Sequence, residues 1–163
     1  MGAKSSQLQI RVSPSEKEAI RRAARSAGMD VSAYVLSRVV PLRPQRFADL
    51  SAALRDPAGA PFALAELNDW LSGLSAADLV EATIAAPRPG LTPYMENYVA
   101  AMVEQAFARK RVPPPSWTRS IAPLMTPAFG SSLRSLRLHL LANSPAPFRR
   151  RNIFVDSGIG TRV

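Results

Sequence analysis

The sequence predicts a mostly α-helical protein that opens with one short strand and two short helices, continues through an α-helical region and closes in a short strand or arm. Three observations lead there. Apolar and polar residues alternate strictly over Gln7–Val12, the period of a strand. Further along, apolar residues recur at three- and four-residue steps, the period of a helix face. Proline, glycine and capping serines divide that pattern into short segments.

In the expected strand, Leu8, Ile10 and Val12 share one face and Gln7, Gln9 and Arg11 the other. Ser13-Pro14-Ser15-Glu16 reads as a helix start: Ser13 as N-cap, Pro14 at the first helical position, and Glu16 where a reciprocal capping carboxylate belongs. Ile20, Ala23, Ala24 and Ala27 follow at helical spacing, and Gly28 suits a left-handed C-terminal residue. A second helix starts at Asp30 or Ser32, carries Val31, Tyr34, Val35 and Val39, and stops at Pro41.

A lone strand leaves its backbone donors and acceptors unpaired, and a segment this small buries too little apolar surface to stand alone. Both defects disappear if two chains pair their strands antiparallel and interlock their helices. The expected dimer core is Leu8, Ile10, Val12, Ile20, Tyr34 and Val35. The paired ribbon then presents Gln7, Gln9 and Arg11 from both chains, and such a ribbon fits the major groove of DNA. Glutamine pairs with adenine and arginine with guanine by two hydrogen bonds each, so these three residues are the candidate base readers. Lys4, Lys17 and Ser32 are the candidates for the phosphate backbone, with the free N–H groups at the start of the second helix, around Asp30–Ala33, beside Ser32.

Residues 5–40, in particular the alternating strand, the S-P-S-E helix start, the G-M-x-V-S turn and the V-S-A-Y-V-L helix, resemble the ribbon-helix-helix antitoxins and repressors, especially those paired with acetyltransferase toxins. The resemblance implies a dimer whose three outward strand residues contact bases. Asp30 departs from the family, which usually places Ser or Thr before the second helix.

Downstream, residues 42–60 read as a linker with a short helix around 46–55. A helical domain is expected over 61–143. Its first helix runs to about Leu74 with Phe62, Leu64, Leu67, Trp70 and Leu71 on its apolar face, and its second is capped by Ser75 with Leu79, Val80, Ala82 and Ile84. The longest begins at Thr92-Pro93 and reaches about Lys110, before Pro113-Pro114-Pro115. A last helix is expected over Ser131–Asn143, carrying Leu133, Leu136, Leu140 and Leu141.

Residues 144–163 read as a basic arm. Phe148, Arg149, Arg150, Arg151, Ile153 and Phe154 are its candidate partner-binding residues, anchoring by strand addition. An edge strand packed on the protein's own helices fits the same pattern, as does a phosphate clamp. The C-terminal region also resembles proteins encoded beside nucleotidyltransferase-like toxins, which implies a toxin partner.

Charge divides the chain in three. Residues 1–46 hold nine Lys/Arg against three Asp/Glu, residues 47–110 four against eight, and residues 111–163 eight against one, within a net charge of +9. Basic ends attract phosphate by charge and counterion release. There is no cysteine, so disulfides, thiolate metal sites and cysteine nucleophiles are excluded. No stretch approaches the roughly 18 apolar residues of a membrane span. The N-terminus lacks the apolar core of a signal peptide, so a cytoplasmic protein without a membrane partner is expected. His139 is the only histidine, and no phosphate-loop, dinucleotide, nucleophile-elbow or zinc-protease motif occurs. No enzyme and no cofactor are expected.

These readings combine into a DNA-binding antitoxin, a homodimer or higher oligomer that binds double-stranded DNA, represses its own operon and neutralises a toxin with residues 47–163. A regulator or plasmid-maintenance DNA binder without a toxin, and an interaction module without DNA, are the alternatives.

Overall fold

The computed structural model describes residues 9–39, 43–87 and 90–156. The chain is mostly α-helical and divides into two compact units, Met1–Pro41 and Leu42–Val163. Gln7, Leu8 and Lys4 lie outside the described residues, as does the tail from 157 onward.

The first unit holds α1 (Pro14–Ser26) and α2 (Val31–Val39). Ser13 caps α1: its hydroxyl accepts from the Glu16 N–H at 3.3 Å while the Glu16 carboxylate accepts from the Ser13 N–H at 2.8 Å. At the other end, the Met29 N–H reaches back to the Ala24 carbonyl at 3.0 Å, a closure that needs a left-handed residue, and Gly28 supplies it with φ +66°. Residues 9–12 form no strand in the single chain. A strand at this place needs a second strand beside it, and the described residues of one chain offer none.

The second unit is built around one helix. It contains α3 (Arg43–Ala53), α4 (Ala60–Gly73), α5 (Ala76–Ala82), α6 (Pro93–Arg109), α7 (Trp117–Ser120), β1 (Ala128–Phe129), a 3-10 turn (Arg134–Leu136), α8 (Arg137–Asn143), α9 (Ala146–Arg149) and β2 (Ile153–Phe154). Residues 97–103 of α6 are all buried, so this helix is covered on every side rather than along one stripe. Thr92 caps its start, its hydroxyl accepting from the Met95 N–H at 3.3 Å. At its end Arg111 adopts φ +57° and the Val112 N–H bonds the Phe107 carbonyl at 3.1 Å, before the three prolines forbid further helix.

The linker expected over 42–60 is largely the helix α3, and Phe47, Leu50 and Leu54 lie in the core of this unit. Phe47 stacks on Trp70 with centroids 6.4 Å apart and meets Trp117 at 6.3 Å. The Trp117 indole N–H is satisfied by the Thr83 carbonyl at 2.9 Å. A sequence rich in proline and arginine reads as a linker, yet its apolar residues at 47, 50 and 54 keep helical spacing.

The C-terminal segment is also core. β1 and β2 pair in parallel, with Ala128 opposite Ile153 and Phe129 opposite Phe154. Phe148 and Ile153 are fully buried. The expected arm is therefore corrected over residues 144–156, which pack on the protein's own helices. Phe148, Ile153 and Val155 join the apolar core of this unit, so the segment is held by burial of its own side chains. The expected helix over Ser131–Asn143 is shortened to the 3-10 turn and α8. Of its five leucines only Leu140 is buried, so one face holds few apolar contacts and the first turns are not stabilised as α-helix. Phe62, Val80 and Ile84, expected on apolar faces, are likewise exposed.

Candidate nucleic-acid interface

The first unit carries the residues that the sequence assigns to DNA. Gln9 and Arg11 are exposed, and Lys17 and Ser32 are exposed beside the helix starts. Ile10 and Val12 are 60% and 42% exposed, so these two members of the expected dimer core are uncovered in the single chain. Ile20, Tyr34 and Val35 are half-buried. Among the described residues of this unit, Ala24 alone is fully buried.

That distribution has an energetic meaning. Two helices whose contact buries one alanine completely cannot offset the backbone entropy of ordering some thirty residues. Val31, Leu36 and Val39 are also exposed, Val39 to 67%. The unit thus displays enough apolar surface to need a second surface, and the reciprocal cap at Ser13 fixes where residues 9–12 leave α1.

The polar face is basic with local compensation. Glu18 lies 3.4 Å from Arg25 and 3.8 Å from Arg21, exposed pairs worth little in water. The Arg38 guanidinium sits 5.3 Å from the Tyr34 ring centroid, a cation–π contact legible from the four-residue spacing. The Glu16 carboxyl is held below its ordinary value of 4.5, first by the Ser13 backbone N–H and then by the Ser13 hydroxyl.

The start of α2 is capped by one of the two residues the sequence offered. Asp30 is the cap, its Oδ1 accepting from the Ala33 N–H at 2.9 Å. One of the N–H groups assigned to phosphate is therefore satisfied by the chain's own carboxylate, whose charge also opposes an anion there. Ser32 remains exposed one position into the helix.

The residues assigned to a protein partner are not together on the surface. Phe148 and Ile153 are inside, and Arg151 is 5% exposed. Its guanidinium donates to Glu104 Oε1 at 2.6 Å, the Thr118 carbonyl at 2.5 Å and Asn97 Oδ1 at 3.1 Å. Asn97 in turn donates to the carbonyls of Pro93 and Ala122, both at 3.0 Å. Arg149 and Arg150 are exposed and Phe154 is half-buried. Three consecutive arginines give no sequence signal that the third turns inward; only the distant acid on α6 decides it.

Among the described residues no group of three or more His, Asp or Glu is placed to hold a metal ion, and no helix is long and apolar enough to cross a membrane. His139 lies 3.5 Å from Asp156 at the rim of an open groove of about 500 Å³, lined also by Tyr94, Tyr98, Ser131 and Leu136.

A family model described as NikA-like, for the mobilization protein NikA, matches residues 3–56. The match covers the first unit and runs on through α3, about a third of the chain. No curated protein and no solved structure gives a significant match.

Proposed function

We propose that this chain binds double-stranded DNA as a homodimer through an N-terminal ribbon-helix-helix, and that it serves DNA mobilization rather than catalysis. The observation that carries the reading is the uncovered apolar set Ile10, Val12, Leu36 and Val39 on a unit in which, among the described residues, only Ala24 is fully buried. A second copy with the same need is the simplest cover, because paired strands satisfy the backbone at residues 7–12 and hide Ile10 and Val12 together. Pairing leaves Gln7, Gln9 and Arg11 on the opposite face, twice over, for the major groove. The likeness to a mobilization family over residues 3–56 supports the same direction.

An antitoxin role is less well supported. The family likeness names mobilization, and Phe148, Arg151 and Ile153, on which a toxin grip would rely, are core residues. Neither observation favours toxin neutralisation, and a cytoplasmic DNA binder without a toxin is the reading we carry forward.

The test is binding of the full chain to DNA from its own locus and to scrambled duplex. Gln9→Ala with Arg11→Ala is expected to erase the difference between the two while leaving the residual affinity and the dimer intact. A monomer by sedimentation, or equal affinity of the parent for both duplexes, overturns the reading.

A further inference from the structure

We propose that the exposed side of α1 binds the DNA backbone, with Arg21, Arg22 and Arg25 taking phosphate oxygens along the line that Lys17 begins. The proposal rests on the ribbon reading of the same unit and adds to it the surface that supplies affinity rather than sequence.

Helix geometry fixes where these side chains sit. At about 100° per residue, Arg21, Arg25, Glu18 and Arg22 span an arc of about 100° on α1. The arc lies opposite the side that carries Ile20, Ala23 and Ala24, of which Ala24 is buried and the other two are half-buried. All four charged residues of the arc are exposed. Two of its cations also meet directly. Glu18 lies 3.4 Å from Arg25 and 3.8 Å from Arg21, so both guanidinium groups flank one carboxylate. Glu16, the other acid of α1, is turned to the Ser13 cap. Lys17 stands four residues before Arg21 and Arg21 four before Arg25, and four residues advance a helix by about 6 Å. Three cations thus follow one another along α1, with Arg22 beside them and Glu18 as the acid they share.

The chemistry of this row fits a phosphodiester backbone. Arginine's planar fork matches phosphate oxygens. Exposed pairs such as those of Glu18 are worth little in water, so a phosphate takes either arginine from it at small cost. The start of α2 is the other place in this unit where an anion could sit. There Asp30 already accepts from the Ala33 N–H at 2.9 Å and sets a negative charge before the helix end. Backbone contacts therefore fall to α1. Its cap, Ser13, follows Arg11 by two residues, so Lys17 stands about one turn beyond the segment that carries Gln9 and Arg11. Contacts to phosphate add affinity and fix orientation without reading sequence.

The experiment uses the full chain with Arg21→Gln, Arg22→Gln and Arg25→Gln together, changes that keep helix propensity. Affinity for own-locus DNA and for scrambled duplex is measured by anisotropy over a salt series. The expected result is weaker binding to both duplexes, their ratio as in the parent, and a salt slope shallower by about 0.9 for each phosphate contact removed. The matching Arg→Lys set restores the slope. Glu18→Gln is expected to tighten binding to both duplexes alike. Arg119→Gln with Arg134→Gln, which takes exposed charge from the second unit, is expected to leave the slope as in the parent. An unchanged slope in the α1 variant with intact helicity at 222 nm overturns the proposal, whether the face then meets an acidic protein or only water. An equal loss of slope per charge in the second-unit variant overturns it too, because total charge is then the cause. Should the triple variant lose helicity, Arg25→Gln alone is expected to lower the slope, and no change in it overturns the proposal. The two readings fail differently. Failure of the ribbon shows as equal affinity of the parent for both duplexes with the slope change kept. Failure of this face shows as a kept ratio without the slope change.

Discussion

Arg151 and Glu104, 47 positions apart, meet at 2.6 Å with side chains only 6% and 12% exposed. The pair joins the turn after α9 to the central helix, and the Thr118 carbonyl and Asn97 complete the arginine's hydrogen bonds on two further stretches. Breaking such a pair on one side strands a buried charge. Arg151→Met is expected to destabilise the second unit by about 3–5 kcal/mol, read as a lower denaturant midpoint. Adding Glu104→Gln recovers a substantial part, because the stranded carboxylate is then neutral. Equal losses in the single and double variants count against an ion pair as the source.

The cap on α1 gives a pH-dependent prediction. Glu16 has its carboxyl held below the ordinary value of 4.5, so its contribution is complete above that pH and is lost as pH falls through the folded-state value. Helicity at 222 nm should therefore decline on acidification below about pH 4.5, and Glu16→Gln should flatten that part of the profile. Ser13→Ala removes the other half of the box and is expected to cost about 1 kcal/mol at neutral pH.

Gly28 offers a test in which contacts play no part. A Cβ placed there meets nothing within 4 Å, yet φ is +66°. Gly28→Ala should destabilise the first unit by roughly 1–2 kcal/mol through backbone strain alone. Thermal unfolding at fixed protein concentration measures it, and an unchanged midpoint rejects the left-handed closure of α1.

Tyr98 is 8% exposed and packs edge-on against Phe148 at 5.3 Å. Burial, then the neighbouring Tyr94, pushes its hydroxyl up to about 12, and burial raises Tyr94 as well. A raised value favours the neutral form in the folded state, so the stability it contributes is intact below the ordinary value of 10 and is lost as pH climbs towards 12. Tyr98→Phe should make the alkaline limb of the stability profile shallower. Absorbance of tyrosinate reports the late titration directly.

Local chemistry made much of the chain legible in advance. Ser13-Pro14-Ser15-Glu16, Gly28, Ser75 and Thr92-Pro93 mark helix ends by hydrogen bonds that span three or four residues, so they read correctly without knowledge of the fold. Alternation named Gln9 and Arg11 as candidate base readers; in the single chain Ile10 and Val12 on the other face are exposed as well, so burial does not distinguish the two faces.

What sequence alone determined is thus where α1, α5 and α6 begin and that the N-terminal helix pair stands apart as its own unit. Only the tertiary structure decided that 42–60 contributes α3 to a core, that Phe148 and Ile153 are interior, and that one arginine of three consecutive ones turns inward. The physical reason is range. Caps and turns depend on neighbours in the chain, whereas burial depends on which distant surfaces close over a residue, as Glu104 and Asn97 close over Arg151.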